Sequence, residues 1–325
     1  MSKNNITKLF PWFLSAGIAW TIGCIYNVYY GGELSWLRRM YEQKAAYASQ
    51  IEKPHRIIFA AGSGVHYSIN AEWMQKKLGV PVFNYGLQGD MGLNVITPLM
   101  LEQARKGDII VLIPEYLMLM DKDGLGDGDG LFGSAPFGWA VGQPGLGNIP
   151  PKKFIEDTWL LGVTTLRAAT KSTIDVIEKG RMTGYLSDPI TEHGDPTKVK
   201  ERTAKWWKLS FKEPVSPHSL KVIEQFRKDL EAKGAHLIVA LPWVYANTDP
   251  KTVASLKKSA DELSKIVPTI YNPENLNIQS DSTMFADTHY HLLPDARLVR
   301  SQELVDQLKP FLAEYIKQPE LQTSK

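Results

Sequence analysis

The hydrophobic pattern divides the chain into an apolar head followed by short apolar runs that alternate with amphipathic stretches. Residues 9–32 carry no charge and are dense in large side chains, among them Phe10, Trp12, Phe13 and Trp20. That run is long enough to cross a bilayer core, which takes ~20 residues. Trp12 near one end and Tyr26, Tyr29 and Tyr30 near the other suit interfacial aromatic belts. A cleavable signal peptide has a shorter apolar region closed by a small-x-small site, and the nearest such site, Ala46-Tyr47-Ala48, lies well downstream. An uncleaved single-pass anchor is therefore expected. A helix over 33–51 follows, with Trp36, Met40 and Tyr47 at near-helical spacing.

Residues 57–70, Ile-Ile-Phe-Ala-Ala-Gly-Ser-Gly-Val-His-Tyr-Ser-Ile-Asn, run from a strand buried on both faces into a Gly-rich turn and a helix start. Asn70 caps a helix over 71–78 that Gly79 ends. A strand at 80–83, a helix at 94–105 and a strand at 108–113 come next. Ser216-Pro217 opens a helix to about residue 233, followed by a strand at 236–241. Asp249-Pro250 opens another helix to about 266, a last strand lies at 269–271, and Leu298, Leu304, Leu308 and Leu312 mark an amphipathic C-terminal helix. Alternating strands and helices predict a three-layer α/β domain with a mainly parallel sheet.

The alternation breaks between 121 and 214. Gly, Asp and Pro dominate 121–151, which reads as a lid near the site. Asp121, Asp123, Asp127 and Asp129 invite a calcium reading, but Leu125 and Phe132 fall where an EF-hand needs oxygen ligands, so no metal is expected. Residues 154–177 read as helix and 181–214 as irregular, with Trp206-Trp207 able either to stack on a sugar ring or to pack. The expected organisation is a tail and anchor at 1–32, a helical stalk at 33–53, an α/β domain at 54–317 with a long insertion at 121–214, and a flexible tail at 318–325.

Composition narrows the function classes. The formal charge is +2 over 325 residues, with basic and acidic residues interspersed, which argues against a nucleic-acid partner. Cys24 is the only cysteine, so one chain can build neither a disulfide framework nor a Cys-based zinc site. Lys3 and Lys8 before the anchor balance Arg38, Arg39 and Lys44 after it, so charge leaves the topology open.

Two segments carry candidate chemistry. Ser63 sits where a parallel strand opens into a turn, the place where ligands of open α/β sheets collect. Near the other end, Asp287-Thr-His-Tyr-His291 offers a carboxylate that can fix an imidazole tautomer, leaving the second ring nitrogen to accept a proton. A helical turn would pair Asp287 with His291, and an extended segment would pair it with His289. The alternative to catalysis is a structural turn at Ser63 and two solvated histidines before a surface helix.

Four blocks in order, Gly62-Ser63-Gly64-Val65-His66-Tyr67-Ser68-Ile69-Asn70, Pro81-Val82-Phe83-Asn84-Tyr85-Gly86-Leu87, Gly107-Asp108 through Pro114-Glu115-Tyr116, and Asp287-Thr288-His289-Tyr290-His291-Leu292, together resemble membrane-anchored SGNH/GDSL-hydrolase-like proteins. Relatives of these proteins acetylate alginate or transfer D-alanine to teichoic acids. The resemblance implies a three-layer, flavodoxin-like SGNH-hydrolase fold behind one transmembrane helix. It places Ser63 as nucleophile, His291 rather than His289 as base, Asp287 as its acid, and Gly86 or Gly89 as an oxyanion donor. In place of the family's Gly-x-Asn-Asp the chain has Pro114-Glu115-Tyr116, which removes the Asn donor. Asn84 could supply a substitute or only hold its turn; Glu115 could orient a neighbouring group or only cap a helix.

The reading is then a serine O-acyltransferase or esterase that moves acyl groups, acetyl foremost, on an extracytoplasmic polysaccharide or envelope polymer, without metal or organic cofactor. The resemblance also implies a cytoplasmic-membrane location with the domain on the outer or periplasmic side, contact with the lipid bilayer through the anchor, and a membrane-bound O-acyltransferase as partner. The competing expectation is an inactive adaptor of the same fold that binds a glycan or an assembly partner.

Overall fold

The computed structural model describes residues 3–126, 128, 130–142, 149–184, 189–198, 201–202 and 207–315, with residues 3–8 described through their backbone alone. In chain order the elements are α1 (Lys3–Ile25), α2 (Ser35–Gln50), β1 (Ile57–Ala61), α3 (Ser63–Ser68), α4 (Ala71–Leu78), β2 (Val82–Gly86), α5 (Leu93–Gln103), β3 (Ile109–Leu112), α6 (Tyr116–Met120), α7 (Ser134–Ala140), α8 (Pro151–Leu161), α9 (Leu166–Lys179), α10 (Pro217–Ala232), β4 (His236–Ala240), β5 (Val244–Tyr245), α11 (Pro250–Ser264), β6 (Thr269–Ile270), β7 (Ile278–Gln279) and α12 (Pro294–Tyr315). Contacts gather them into two units. An α/β unit comprises Gln43–Asp127 and Pro189–Lys325, and a helical unit comprises Met1–Glu42 and Gly128–Asp188. The boundary after the anchor falls inside α2, and the expected 121–214 insertion is shared between the units.

In the α/β unit, five strands form a parallel sheet in the order β2-β1-β3-β4-β6. Every residue of β1, β2 and β3 is buried, which is why these strands read as near-continuous apolar runs rather than as alternation. The winding reverses between β1 and β3, and that reversal leaves a crevice beyond their C-terminal ends. Ser63 follows β1 and Glu115 follows β3, so both arrive at this crevice.

At the opposite end of the same two strands, Arg56 and Asp108 form a fully buried pair, with Nε and Nη2 of the guanidinium 3.0 and 2.5 Å from the two carboxylate oxygens. Arg56 also donates to the carbonyls of Ala48 and Gln103, which brings four of its five N–H donors to protein acceptors.

Several boundaries differ from expectation for local reasons. The second strand is Val82–Gly86 rather than 80–83, because pairing with β1 carries it through the polar but buried Asn84. Capping places α4 as expected: Asn70 Oδ1 accepts from the Trp73 amide and Gly79 adopts φ 73°. The two-residue strands β5 and β7 pair in a second small sheet, too short to leave a periodic signal. Lys44, counted in the sequence among the charges flanking the anchor, is fully buried in the α/β unit. Its Nζ donates to the Asn84 carbonyl at 2.7 Å and lies 3.1 Å from His66 Nδ1. Burial holds its pKa well below the ordinary lysine value.

In the helical unit, α1 continues into a π-helical turn, Tyr26–Tyr30. Among the described residues one helical run, Leu9–Tyr30, is long and apolar enough to cross a membrane, with a mean hydropathy of 1.4. The helix expected over 154–177 is two helices, because the chain turns at Gly162 and Thr165 caps α9 by accepting from the Ala168 amide. Asp121 and Asp123 cap local turns, accepting from the amides of Gly126, Asp123 and Leu125. Asp127, Asp129, Trp206 and the 318–325 tail lie outside the described residues.

Candidate active site

Ser63 opens α3 directly after Gly62. Both glycines of Gly62-Ser63-Gly64 are imposed by close approach. A Cβ on Gly62 would stand 2.5 Å from Gly89 Cα and 2.6 Å from Glu115 Oε1, and one on Gly64 would stand 2.7 Å from the same oxygen. The turn is therefore moulded around the Glu115 carboxylate, whose Oε1 accepts the Gly64 amide at 2.6 Å. Glu115 Oε2 is buried and has no hydrogen-bond partner among the described residues. Burial pushes this carboxyl above the usual carboxylate range, and the charge of Asp90 pushes the same way. The amides of Gly64 and Gly62 oppose the shift without cancelling it.

The second candidate segment is neither a helical turn nor an extended strand. Residues 285–292 form a tight loop closed by an antiparallel bridge between Phe285 and Leu292 and by a hydrogen bond from the Ala286 amide to the His291 carbonyl at 2.9 Å. Thr288 Oγ1 accepts the amides of Tyr290 and His291 inside it. Phe285 and Leu292 seat the loop in a cluster with Trp243, Tyr245 and Ala296. This geometry sets His291 Nδ1 2.7 Å from Asp287 Oδ1. A carboxylate can only accept, so Nδ1 carries the proton and Nε2 keeps its lone pair.

Two contacts join the segments. Ser68, at the end of α3, donates to the Tyr290 carbonyl at 2.7 Å, and the Tyr67 ring lies 4.6 Å from the His291 ring. Ser63, Gly89, Glu115, Tyr290 and His291 line one cavity of about 330 Å³, with Gln88, Asp90 and Leu209 also in its wall. Asp287 reaches it through His291.

The other sequence candidates separate. Gly89 lines the cavity, whereas the Gly86 amide is taken by Asn84 Oδ1 at 3.0 Å. Asn84 itself is fully buried. Its Nδ2 donates to the Val65 and His66 carbonyls and to Asp195 Oδ1, so it braces β2 under α3, the structural one of the two roles left open to it by the sequence. His289 also lines the cavity, but its Nε2 is 2.8 Å from the Trp207 carbonyl, and burial pushes its pKa below the ordinary imidazole value. Trp207 exposes its indole 5.7 Å from the His289 ring. Sequence reasoning missed Tyr67 and Tyr290, which occur inside recognisable blocks but show no pattern distinguishing them from core aromatics.

A serine and an imidazole with a lone pair fixed by a carboxylate, at one cavity, are parts that acyl transfer through a covalent intermediate uses. No family model matches the chain, and a search of curated proteins finds no match. Among solved structures the chain is similar to that of a proposed platelet activating factor from Streptococcus pneumonia, at 12% identity, over 86% of this chain and 94% of the other, with a TM-score of 0.37.

Proposed function

We propose that this chain is a membrane-tethered SGNH-type serine acyltransferase or esterase, acting on acyl groups of a cell-envelope polysaccharide or related polymer outside the cytoplasm. The observation that carries the reading is the convergence of Ser63, the Asp287–His291 pair and Gly89 on one cavity at the winding reversal of the sheet. Ser63 Oγ attacks the acyl carbonyl while His291 Nε2 takes its proton, and Asp287 holds the imidazole and offsets its charge. The amides of Ser63 and Gly89 donate to the oxyanion. The intermediate collapses, His291 returns the proton to the departing alcohol, and an acceptor hydroxyl or water then releases the acyl group from Ser63 by the reverse sequence.

Glu115 takes the place of the family's Asn donor. Burial pushes Glu115 toward its neutral form, and in that form Oε2 would be a third donor at the cavity wall. The exposed Trp207 indole beside His289 offers a platform for a sugar ring, which supports a glycan over a small free ester.

A second reading, an inactive adaptor of the same fold, rests on the same Glu115: ionised, it would put negative charge where an oxyanion must form. A serine-reactive fluorophosphonate separates the two. The enzyme labels covalently and loses the label in Ser63→Ala. Folded protein that does not label, with envelope acylation unchanged in that variant, leaves the adaptor.

A further inference from the structure

The helical unit exposes more large apolar side chains than its candidate span accounts for. Beyond α1, the α8–α9 hairpin exposes Trp159, Leu166 and Ile177 at 67, 83 and 78%. In water such a surface is costly, and a contiguous one marks an interaction site. Residues 158–166, which form the turn of this hairpin, contain no charged side chain.

What covers this surface follows from where the hairpin is held. Trp20 donates to the Trp159 carbonyl at 2.8 Å, and Asn27 Nδ2 donates to the carbonyls of Leu161 and Val163 at 2.8 and 3.0 Å. Between these contacts Gly23 lies so close to Gly162 that a Cβ would stand 1.9 Å from the Gly162 oxygen. Tyr26 Oη bonds the Ala168 carbonyl and Ser172 Oγ farther along. The hairpin is thus fastened to the apolar run itself, and its contact at Trp20 lies about 15 Å along the helix from the Tyr30 end, at 1.5 Å per residue. A helix lying in lipid to that depth takes its fastened neighbour with it.

Several of the charges on α8 and α9 are paired. Lys171 and Lys179 both reach Asp175, at 2.8 and 2.9 Å, Lys153 reaches Asp157 at 3.1 Å, and Arg167 reaches Glu33 at 3.0 Å. An open apolar groove of about 570 Å³ runs between α1 and α9, lined by Ala19, Ile22, Tyr26, Thr173, Val176 and Ile177. Its Ile22 and Ile177 walls are exposed.

We infer that the α8–α9 hairpin is a second, non-spanning membrane insert, whose exposed apolar side is covered by bilayer lipid and whose groove against α1 takes a lipid acyl chain. It rests on the reading of α1 as a retained anchor, and it gives that anchor a structural use that a cleaved signal sequence would lack. The carbonyls of Trp159, Leu161 and Val163 would lose their donors if α1 were removed.

The test uses the full chain with Cys24→Ser, reconstituted in phosphatidylethanolamine–phosphatidylglycerol vesicles, with a nitroxide on single cysteines at Phe13→Cys, Leu166→Cys, Ile177→Cys and Gln225→Cys. Collisions with lipid-soluble oxygen and with a water-soluble nickel chelate are compared at each site. Leu166 and Ile177 labels should match Phe13, with oxygen collisions raised and chelate collisions lost, while Gln225 on α10 reads as aqueous. Chelate access at Leu166 and Ile177 like that at Gln225 overturns the insert while leaving the anchor. Protection from both reagents also overturns it, because a protein surface then covers the hairpin. Chelate access at Phe13 removes the anchor reading and the insert together.

Discussion

The Gly64 amide donates to Glu115 Oε1 over 2.6 Å, so the residue after the proposed nucleophile is held by a carboxyl that burial drives toward its neutral form. Asp90, His289, Tyr290 and His291 are the titratable groups that share its cavity. A neutral Glu115 donates to an oxyanion; an ionised one repels it. Fluorophosphonate labelling of Ser63 should therefore fall on the alkaline side as Glu115 loses its proton. Glu115→Gln keeps an acceptor for Gly64 and a permanent donor, so its labelling should stay level through that range. Glu115→Leu should label about 10²–10³-fold more slowly, the usual loss for one oxyanion donor. Stability follows the same proton. A raised carboxyl pKa stabilises the fold fully below the pKa of the unfolded chain, and that contribution is lost as pH rises through the folded value. Labelling rates and melting temperatures across pH, compared with Glu115→Gln, check both; a wild-type alkaline decline shared by Glu115→Gln would sink the donor assignment.

Gly62 and Gly64 should respond differently to alanine. A Cβ on Gly62 meets backbone, Gly89 Cα at 2.5 Å, which cannot retreat without moving the cavity wall. The three atoms nearest a Cβ on Gly64 all belong to the Glu115 side chain, Oε1 at 2.7 Å. Each substitution should cost about 1–3 kcal/mol by overpacking. Adding Glu115→Ala should recover part of the loss in Gly64→Ala, with a coupling of roughly 0.5–3 kcal/mol in a double-mutant cycle. The same addition should recover less in Gly62→Ala. Urea unfolding of the two cycles measures the difference, and equal recovery would contradict the geometry.

The two histidines of the C-terminal loop are separable. Asp287→Asn presents an amide to His291 Nδ1 and permits the wrong tautomer, so on the proposed mechanism labelling of Ser63 should fall by about 10⁴-fold, the loss that this substitution gives in a Ser-His-Asp protease. His289→Gln should cost far less, since its Nε2 is held at the Trp207 carbonyl. If both variants lost labelling equally, the assignment of His291 as base would fail.

What the sequence made legible was whatever depends on neighbours along the chain. Asn70 and Gly79 bound α4 because a cap and a left-handed residue are local chemistry. The buried strands β1 and β3 showed as apolar runs. Asp287 and His291 lie four residues apart, so their pairing was one of two geometries open to the segment. Glu115 was harder to read, because its meaning depends on Gly62, Gly64 and Gly89 approaching from two other strand ends, contacts that no spacing encodes. Asn84 stayed open between two roles for the same reason: a polar residue beside a Gly-rich turn looks available, and only the packing of α3 and Asp195 shows that its amide is committed. The break between α8 and α9 was hidden because Gly162 is set against Gly23, more than a hundred residues earlier.

The Arg56–Asp108 pair lies at the end of β1 and β3 remote from the cavity, and its disruption should separate stability from chemistry. Both side chains are 2% exposed, so water cannot replace a lost partner. Asp108→Ala strands a buried guanidinium and also removes the acceptor for the Arg105 amide, which lies 2.8 Å from Asp108 Oδ2. Losing one member of a buried pair costs about 3–5 kcal/mol. Arg56→Met with Asp108→Leu removes both charges and should cost less than Asp108→Ala alone, because no uncompensated ion remains. Urea unfolding ranks the three proteins, and the labelling rate of Ser63 per folded molecule should be the same in all of them. A double variant less stable than Asp108→Ala would show that the pair contributes through its hydrogen bonds to the Ala48 and Gln103 carbonyls rather than through charge neutralisation.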